Sequence, residues 1–139
     1  MATPQLGAVV FQLTDAITAG RFDQAAAVLA DLLHMGEAPI KLLSVLGRQL
    51  RQLYSARLAL EARKGTGYLM ELWGMKSDYP ARKLLDAARR FDLAWCRAAV
   101  TAAAQADLAM KSQSGADGEE LLIDLLLELA NRPPKAGIA

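Results

Sequence analysis

Cysteine and histidine are nearly missing from this sequence, which holds one of each, Cys96 and His34. A single cysteine cannot close an internal disulfide, and its place on an apolar stripe reads as a buried thiol rather than a reactive one. One histidine without a cysteine cluster supplies no metal-ligand set. A nucleophile pair would have to join Cys96 to His34, which sit on different segments with no acid placed to orient the imidazole. No stretch of about 18 residues is free of charge, which argues against a membrane span. The first residues, Met1 to Gln5, have no basic n-region, so the expected compartment is the cytoplasm. Charge of one sign is scarce too. A formal net charge of +1 means that the surface as a whole is no magnet for nucleic acid, although a local basic patch stays open. The Gly-x-x-x-x-Gly-Lys-[Ser/Thr], Gly-x-Gly-x-x-Gly and His-Glu-x-x-His motifs do not occur. The adjacent Glu119 and Glu120 read as the acidic first turn of a helix rather than as a catalytic carboxylate pair. No cofactor, metal or catalytic residue is expected, and an interaction module fits better than an enzyme.

What remains is apolar and helical. A chain of 139 residues, 53% of them hydrophobic, suits one domain with a sizeable core. Residues 1–6 read as a disordered N-terminal segment, 7–130 as the helical domain, and 131–139, with Pro133-Pro134, as a flexible C-terminal tail. The periodicity predicts an all-α bundle of about six or seven helices.

In order, a first helix runs from about Gly7 to Ala19 and stops at Gly20. A second begins near Phe22, carries Phe22, Ala26, Leu29 and Leu33 as its stripe, and ends at Gly36, where His34 suits the helix dipole. This tight hairpin, with Gly-x-Phe-x-x-Ala at its turn, is similar to half of a tetratricopeptide repeat. No second copy follows, so it reads as a generic helical hairpin. The longest helix spans about Ala38 to Arg63, with Pro39 in its first turn and Leu42, Leu43, Leu46, Leu50, Leu53, Tyr54 and Leu60 on a broad apolar face. After Gly65-Thr66-Gly67 a short helix, Tyr68 to Trp73, closes at Gly74. The next is capped around Ser77 and Asp78, takes Pro80 in its first turn and turns Leu84, Leu85, Ala88 and Phe91 inward.

The stretch Asp92 to Ser114 is the centre of the pattern. Asp92 has the N-cap position, and Phe91 and Cys96 have the spacing of a hydrophobic staple. Cys96, Ala99, Val100, Ala103, Ala106 and Met110 recur at helical spacing, the alanines letting a neighbouring backbone come close. Asp107 falls on that same face and needs a partner. Either Lys111 one turn on or an arginine of the longest helix supplies it. Arg57 projects within an apolar sector, so its stem packs while its guanidinium reaches outward, or it pairs with Asp107. Past a loop at Gly115 to Gly118, Asp117 and Glu120 have capping-box spacing. The last helix, Glu119 to Ala130, is apolar nearly all round, so it is either enclosed by its own bundle or completed by another protein chain.

Two elements allow a nucleic-acid reading. The short helix, glycine turn and following helix with Arg82, Lys83, Arg89 and Arg90 have the outline of a helix-turn-helix. Asp78 and Asp86 dilute that charge, and Arg89-Arg90 also suit a helix C-terminus. A self-associating helical scaffold is the other alternative.

Four blocks carry a family resemblance. The run Ala106-Asp107-Leu108-Ala109-Met110-Lys111-Ser112 resembles a signature near the end of clamp-loader subunits of bacterial DNA polymerase III, above all the delta subunit. Phe11-Gln12-Leu13-Thr14-Asp15-Ala16-Ile17 with Gly20, then Leu46-Gly47-Arg48-Gln49-Leu50-Arg51, then Leu84-Leu85 with Ala88-Arg89-Arg90-Phe91, are similar to further blocks in the same order. The resemblance runs from about Val9 to Ala130. It implies a C-terminal collar domain, which joins clamp-loader subunits for sliding-clamp loading in DNA replication. It also implies partners of the gamma/tau and delta-prime type met through their own collar domains. The sliding clamp and DNA would be reached only through ATPase-type modules, which these residues do not include, or through the whole assembly. Within the domain, Arg48, Gln49 and Arg51 are the expected partner-binding residues, arginine being suited to desolvated contacts. Asp107, Lys111 and Arg57 are the expected structural polar set.

Overall fold

A computed structural model describes residues 6–112 and 117–135. Among them there are seven helices and no strand: α1 (Leu6–Thr18), α2 (Phe22–His34), α3 (Pro39–Glu61), α4 (Thr66–Trp73), α5 (Asp78–Ala88), α6 (Leu93–Lys111) and α7 (Gly118–Asn131). The all-α bundle expected from periodicity is therefore the fold. The end of the predicted central helix, Gln113-Ser114, the start of the following loop, Gly115-Ala116, and the terminal segments Met1 to Gln5 and Ala136 to Ala139 lie outside the described residues.

The helix ends follow from local chemistry. Gly20 and Gly36 adopt positive φ, 77° and 91°, and the amides just beyond them, Arg21 and Glu37, donate back to the Ala16 and Leu32 carbonyls. These left-handed caps satisfy carbonyls that the helices leave unpaired. Arg63 does the same work at φ 58° without being glycine, and Lys64 N–H reaches the Ala59 carbonyl at 2.8 Å. Asp92 caps α6, its carboxylate accepting from Trp95 N–H at 2.8 Å. Asp117 caps α7 by accepting from Glu119 N–H at 3.0 Å. Ser77 stands at the N-cap of α5, but its hydroxyl makes no capping hydrogen bond.

α3 packs along α6 over the longest interface of the bundle. The contact sets Leu43, Leu46, Leu50 and Leu53 of one helix with Cys96, Ala99, Ala103 and Ala106 of the other in a single core. Large residues facing small ones let the two backbones approach closely. α5 closes α3 on another side, α4 packs on α3 and α5, and α2 packs on α1 and α7.

One expected stripe is displaced. The buried face of α2 is Ala25, Val28, Leu29 and Leu32, while Ala26 is exposed and Phe22 and Leu33 are half-buried. In α6 the residue that stacks on Phe91 is Trp95, ring centroids 4.1 Å apart, next to Cys96 at the staple spacing. Trp95 is fully buried and its indole N–H has no acceptor among the described residues. Cys96 is buried beside it, and loss of hydration pushes its thiol up to about 12, only partly opposed by the nearby Arg57 charge. The last helix is neither wholly enclosed nor wholly bare. Leu122, Leu125, Leu126 and Leu129 are buried, but Ile123 and Leu127 are 48% and 54% exposed.

Candidate interface surfaces

α3 presents its polar residues to three different neighbours. Successive residues on a helix are turned by about 100°, so Arg48 and Arg51, three residues apart, lie on adjoining parts of the surface while Gln49 is turned away from Arg51. Arg48 lies over the Trp73 ring of α4, 5.3 Å from its centroid. Trp73 is held in turn by its indole N–H, which donates to the Ser55 hydroxyl at 2.8 Å. Gln49 lines a cavity of about 180 Å³ between α1, α3 and α5, with Thr14, Asp15, Gln52 and Lys83 among its walls. Arg51 is exposed in a groove between α3 and α6, together with Ser44, Val100, Ala104 and Asp107. Gly47 gives that guanidinium its room, since a Cβ there would stand 3.2 Å from an Arg51 nitrogen. The three residues thus have different surroundings: Arg48 at the α4 edge, Gln49 in the cavity and Arg51 in the α6 groove.

The structural polar set divides as well. Asp107 is half-buried at the edge of the α3–α6 groove and meets Lys111 at 3.0 Å. The longer-range option is not taken. Arg57 instead clasps Glu61 with two of its nitrogens, at 3.0 and 2.6 Å, and donates weakly to the Ala88 carbonyl at 3.4 Å. Its stem lies against the core while its charged end stays at the surface, where an acid on the same helix face is cheaper to hold than a buried partner across the bundle.

The basic residues that suggested DNA reading are occupied. Arg82 pairs with Asp78 at 2.8 Å, and Arg89 stands 3.9 Å from Asp86. Lys83 reaches Asp15 at 2.6 Å and sits over the Phe11 ring. Arg90 donates to the Thr18 carbonyl at the end of α1, 3.2 Å away. These contacts tie α5 to α1 and to its own acids and leave no row of free cations along α5. Among the described residues there is also no group of three His, Cys, Asp or Glu side chains able to hold a metal ion, and no helix long and apolar enough to cross a membrane.

The outer surface carries apolar side chains, of which the sequence reading had singled out only those of the last helix. Tyr68 and Leu72 of α4, Tyr79 of α5 and Leu108 of α6 all lie largely in solvent. Between α2 and α7 runs an apolar groove of about 200 Å³ lined by Phe22, Ala26, Leu29, Ile123, Leu127 and neighbours. Its signal was present in the sequence. Ile123 and Leu127 are one turn apart, and they stand outside the Leu122, Leu125, Leu126 and Leu129 set that the core consumes.

Comparison with known proteins fits this fold. Residues 8–128 match the family model for the DNA polymerase III delta subunit, C-terminal domain. Among solved structures, the Bacillus subtilis DNA clamp loader delta protein (YqeN) superposes with a TM-score of 0.80 at 23% sequence identity, over 95% of this chain. At that identity the likeness is one of fold. The matched region is 38% of the YqeN chain, so this sequence spans well under half of that protein. No curated protein sequence gives a significant match.

Proposed function

We propose, from the premise that this chain belongs to the family of C-terminal domains of the DNA polymerase III delta subunit, that it works as an oligomerisation domain. In this reading it joins its own clamp-loader protein to neighbours of the gamma/tau and delta-prime type through their helical collar domains. The domain performs no chemistry itself. Sliding clamp and DNA are engaged by other modules or by the completed assembly. The observation that carries the reading is the family match across residues 8–128, nearly the whole bundle. The apolar surface that α7 leaves in solvent, Ile123 and Leu127 one turn apart, supports it, because a contiguous apolar patch suits a partner. Arg48 and Arg51 are the polar contacts assigned to that assembly, at the α4 edge and the α6 groove respectively.

The test mixes the purified domain with the C-terminal domains of gamma/tau-type and delta-prime-type proteins and follows co-elution at micromolar concentration. Co-elution of the three is expected. Because a stable complex can require the whole ring, the full-length proteins are tried in parallel. Failure of both mixtures, or nucleotide hydrolysis by this domain alone, overturns the reading.

A further inference from the structure

The charge of this chain is unevenly spread over its helices. α2 and α7 together carry six carboxylates, Asp23, Asp31, Glu119, Glu120, Asp124 and Glu128, and neither helix contains a lysine or arginine. The rest of the chain holds the other nine acids against all 16 Lys and Arg. α1 and α4 also lack lysine and arginine but carry one acid each, Asp15 and Glu71, so the excess of negative charge is on α2 and α7, the two helices that border the apolar groove.

We infer that the α2–α7 groove is a docking site for an amphipathic helix of a partner chain, one whose apolar stripe is flanked by lysine or arginine. The shape comes first. Two helices in contact leave a trough whose floor is Leu29 and Leu126, and whose upper edges are Ala26 on one side and Ile123 and Leu127 on the other. Exposed Ala26 lets a third backbone approach, and two large side chains one turn apart on α7 match the repeat of an apolar helix stripe. Charge then selects the occupant. Asp23 is the charged residue in the groove lining, and Asp124 and Glu128 lie on the flank of α7 that borders α6, next to the exposed Ile123 and Leu127 in the helix. Glu128 shares its charge with Arg132 at 3.7 Å, whereas Asp124 has no ion-pair partner among the described residues. Arg89, Arg90, Arg132 and Lys135 gather around a separate basin, which adjoins the groove only at its Phe22 and Ala130 end. The partner's cations therefore fall over the Ile123 half, where opposite charge speeds encounter and like charge is rejected. The inference does not lean on the assembly reading.

The test uses two synthetic amphipathic helical peptides with the same leucine stripe, one flanked by lysines and the other by glutamates, titrated against the domain by fluorescence anisotropy at low and moderate salt. The lysine peptide should bind about tenfold tighter or more, with its preference shrinking as salt rises. NMR shifts in the presence of that peptide should concentrate on α2 and α7. Leu127→Glu should remove binding while circular dichroism stays helical. Should that variant unfold, Ala26→Lys, at an exposed edge of the opposite wall, should weaken binding in the same way. Asp23→Lys with Asp124→Lys should turn the preference toward the glutamate peptide. Equal binding of both peptides, shifts on other helices, or binding indifferent to Leu127→Glu and Ala26→Lys overturns the inference. So does sedimentation showing that a second copy of this chain fills the groove.

Discussion

The backbone N–H of Asp92 donates to the carbonyl of Pro134 at 2.8 Å, so the segment after α7 is fastened to the turn between α5 and α6. The Asp92 side chain meanwhile caps α6. Removing the chain after Arg132 takes away that acceptor and is expected to cost about 1 kcal/mol, read as a lower urea midpoint. Pro134→Ala keeps the carbonyl and should cost less. Equal stability of the truncated and complete chains would show that the contact contributes nothing.

Arg63 stands in the left-handed region at φ 58°, where a side chain is strained and glycine is not. Arg63→Gly should stabilise the domain by about 0.5–1 kcal/mol, the relief being offset in part by the looser unfolded chain. Thermal and urea unfolding would both report it. Arg63→Ala should give no such gain.

Gly118 opens α7 against the first turn of α3. A Cβ placed there would lie 2.9 Å from the Pro39 Cβ and 3.3 Å from its Cγ, and a proline ring cannot swing aside. Gly118→Ala should therefore destabilise by about 1–3 kcal/mol through overpacking, even though alanine is the better helix former. A neutral or stabilised variant would mean that α7 can shift freely on α3.

Burial raises the Cys96 thiol from 9.0 to about 12. Below the unfolded value both states hold the proton and the domain keeps its full stability. Between pH 9.0 and about 12 the unfolded chain loses the proton while the folded one does not. Stability should therefore fall by about 1.4 kcal/mol per pH unit from this group. The difference between wild type and Cys96→Ala in urea midpoints across that range isolates the effect. Native protein should also leave a thiol reagent unconsumed near neutral pH until it is unfolded.

Fold class and most helix limits were legible because glycine, proline and capping residues punctuate this chain where the backbone turns. The misplaced stripe of α2 has a plain cause. Ala25, Ala26 and Ala27 are consecutive, and a run of identical small residues cannot tell a periodicity argument which of them faces inward. Phe91 has the staple spacing to Cys96, and the larger ring of Trp95, one residue nearer, offers the area it stacks on. Arg57 was open between packing outward and pairing with Asp107, and an acid on its own helix, Glu61, holds its outward end. Asp107 likewise found its base one turn away, in Lys111. That Gln49 turns away from Arg51 could have been drawn from numbering alone. Which neighbour Arg48, Gln49 and Arg51 each meet could not, since that depends on how α4, α1 and α6 close around α3.

The pairing of α2 with α7 also imposes an order of events during synthesis. The hairpin of α1 and α2 is made before the other helices of the bundle, yet the helix that covers Leu29 and its neighbours is made last of the seven. At about 5–20 residues per second, the stretch between His34 and Gly118 takes roughly 4–17 s to translate. For that interval a nascent hairpin displays its apolar flank with no cover from its own chain. Chaperones that hold short hydrophobic segments are thus expected to engage this hairpin and to be displaced only when α7 emerges.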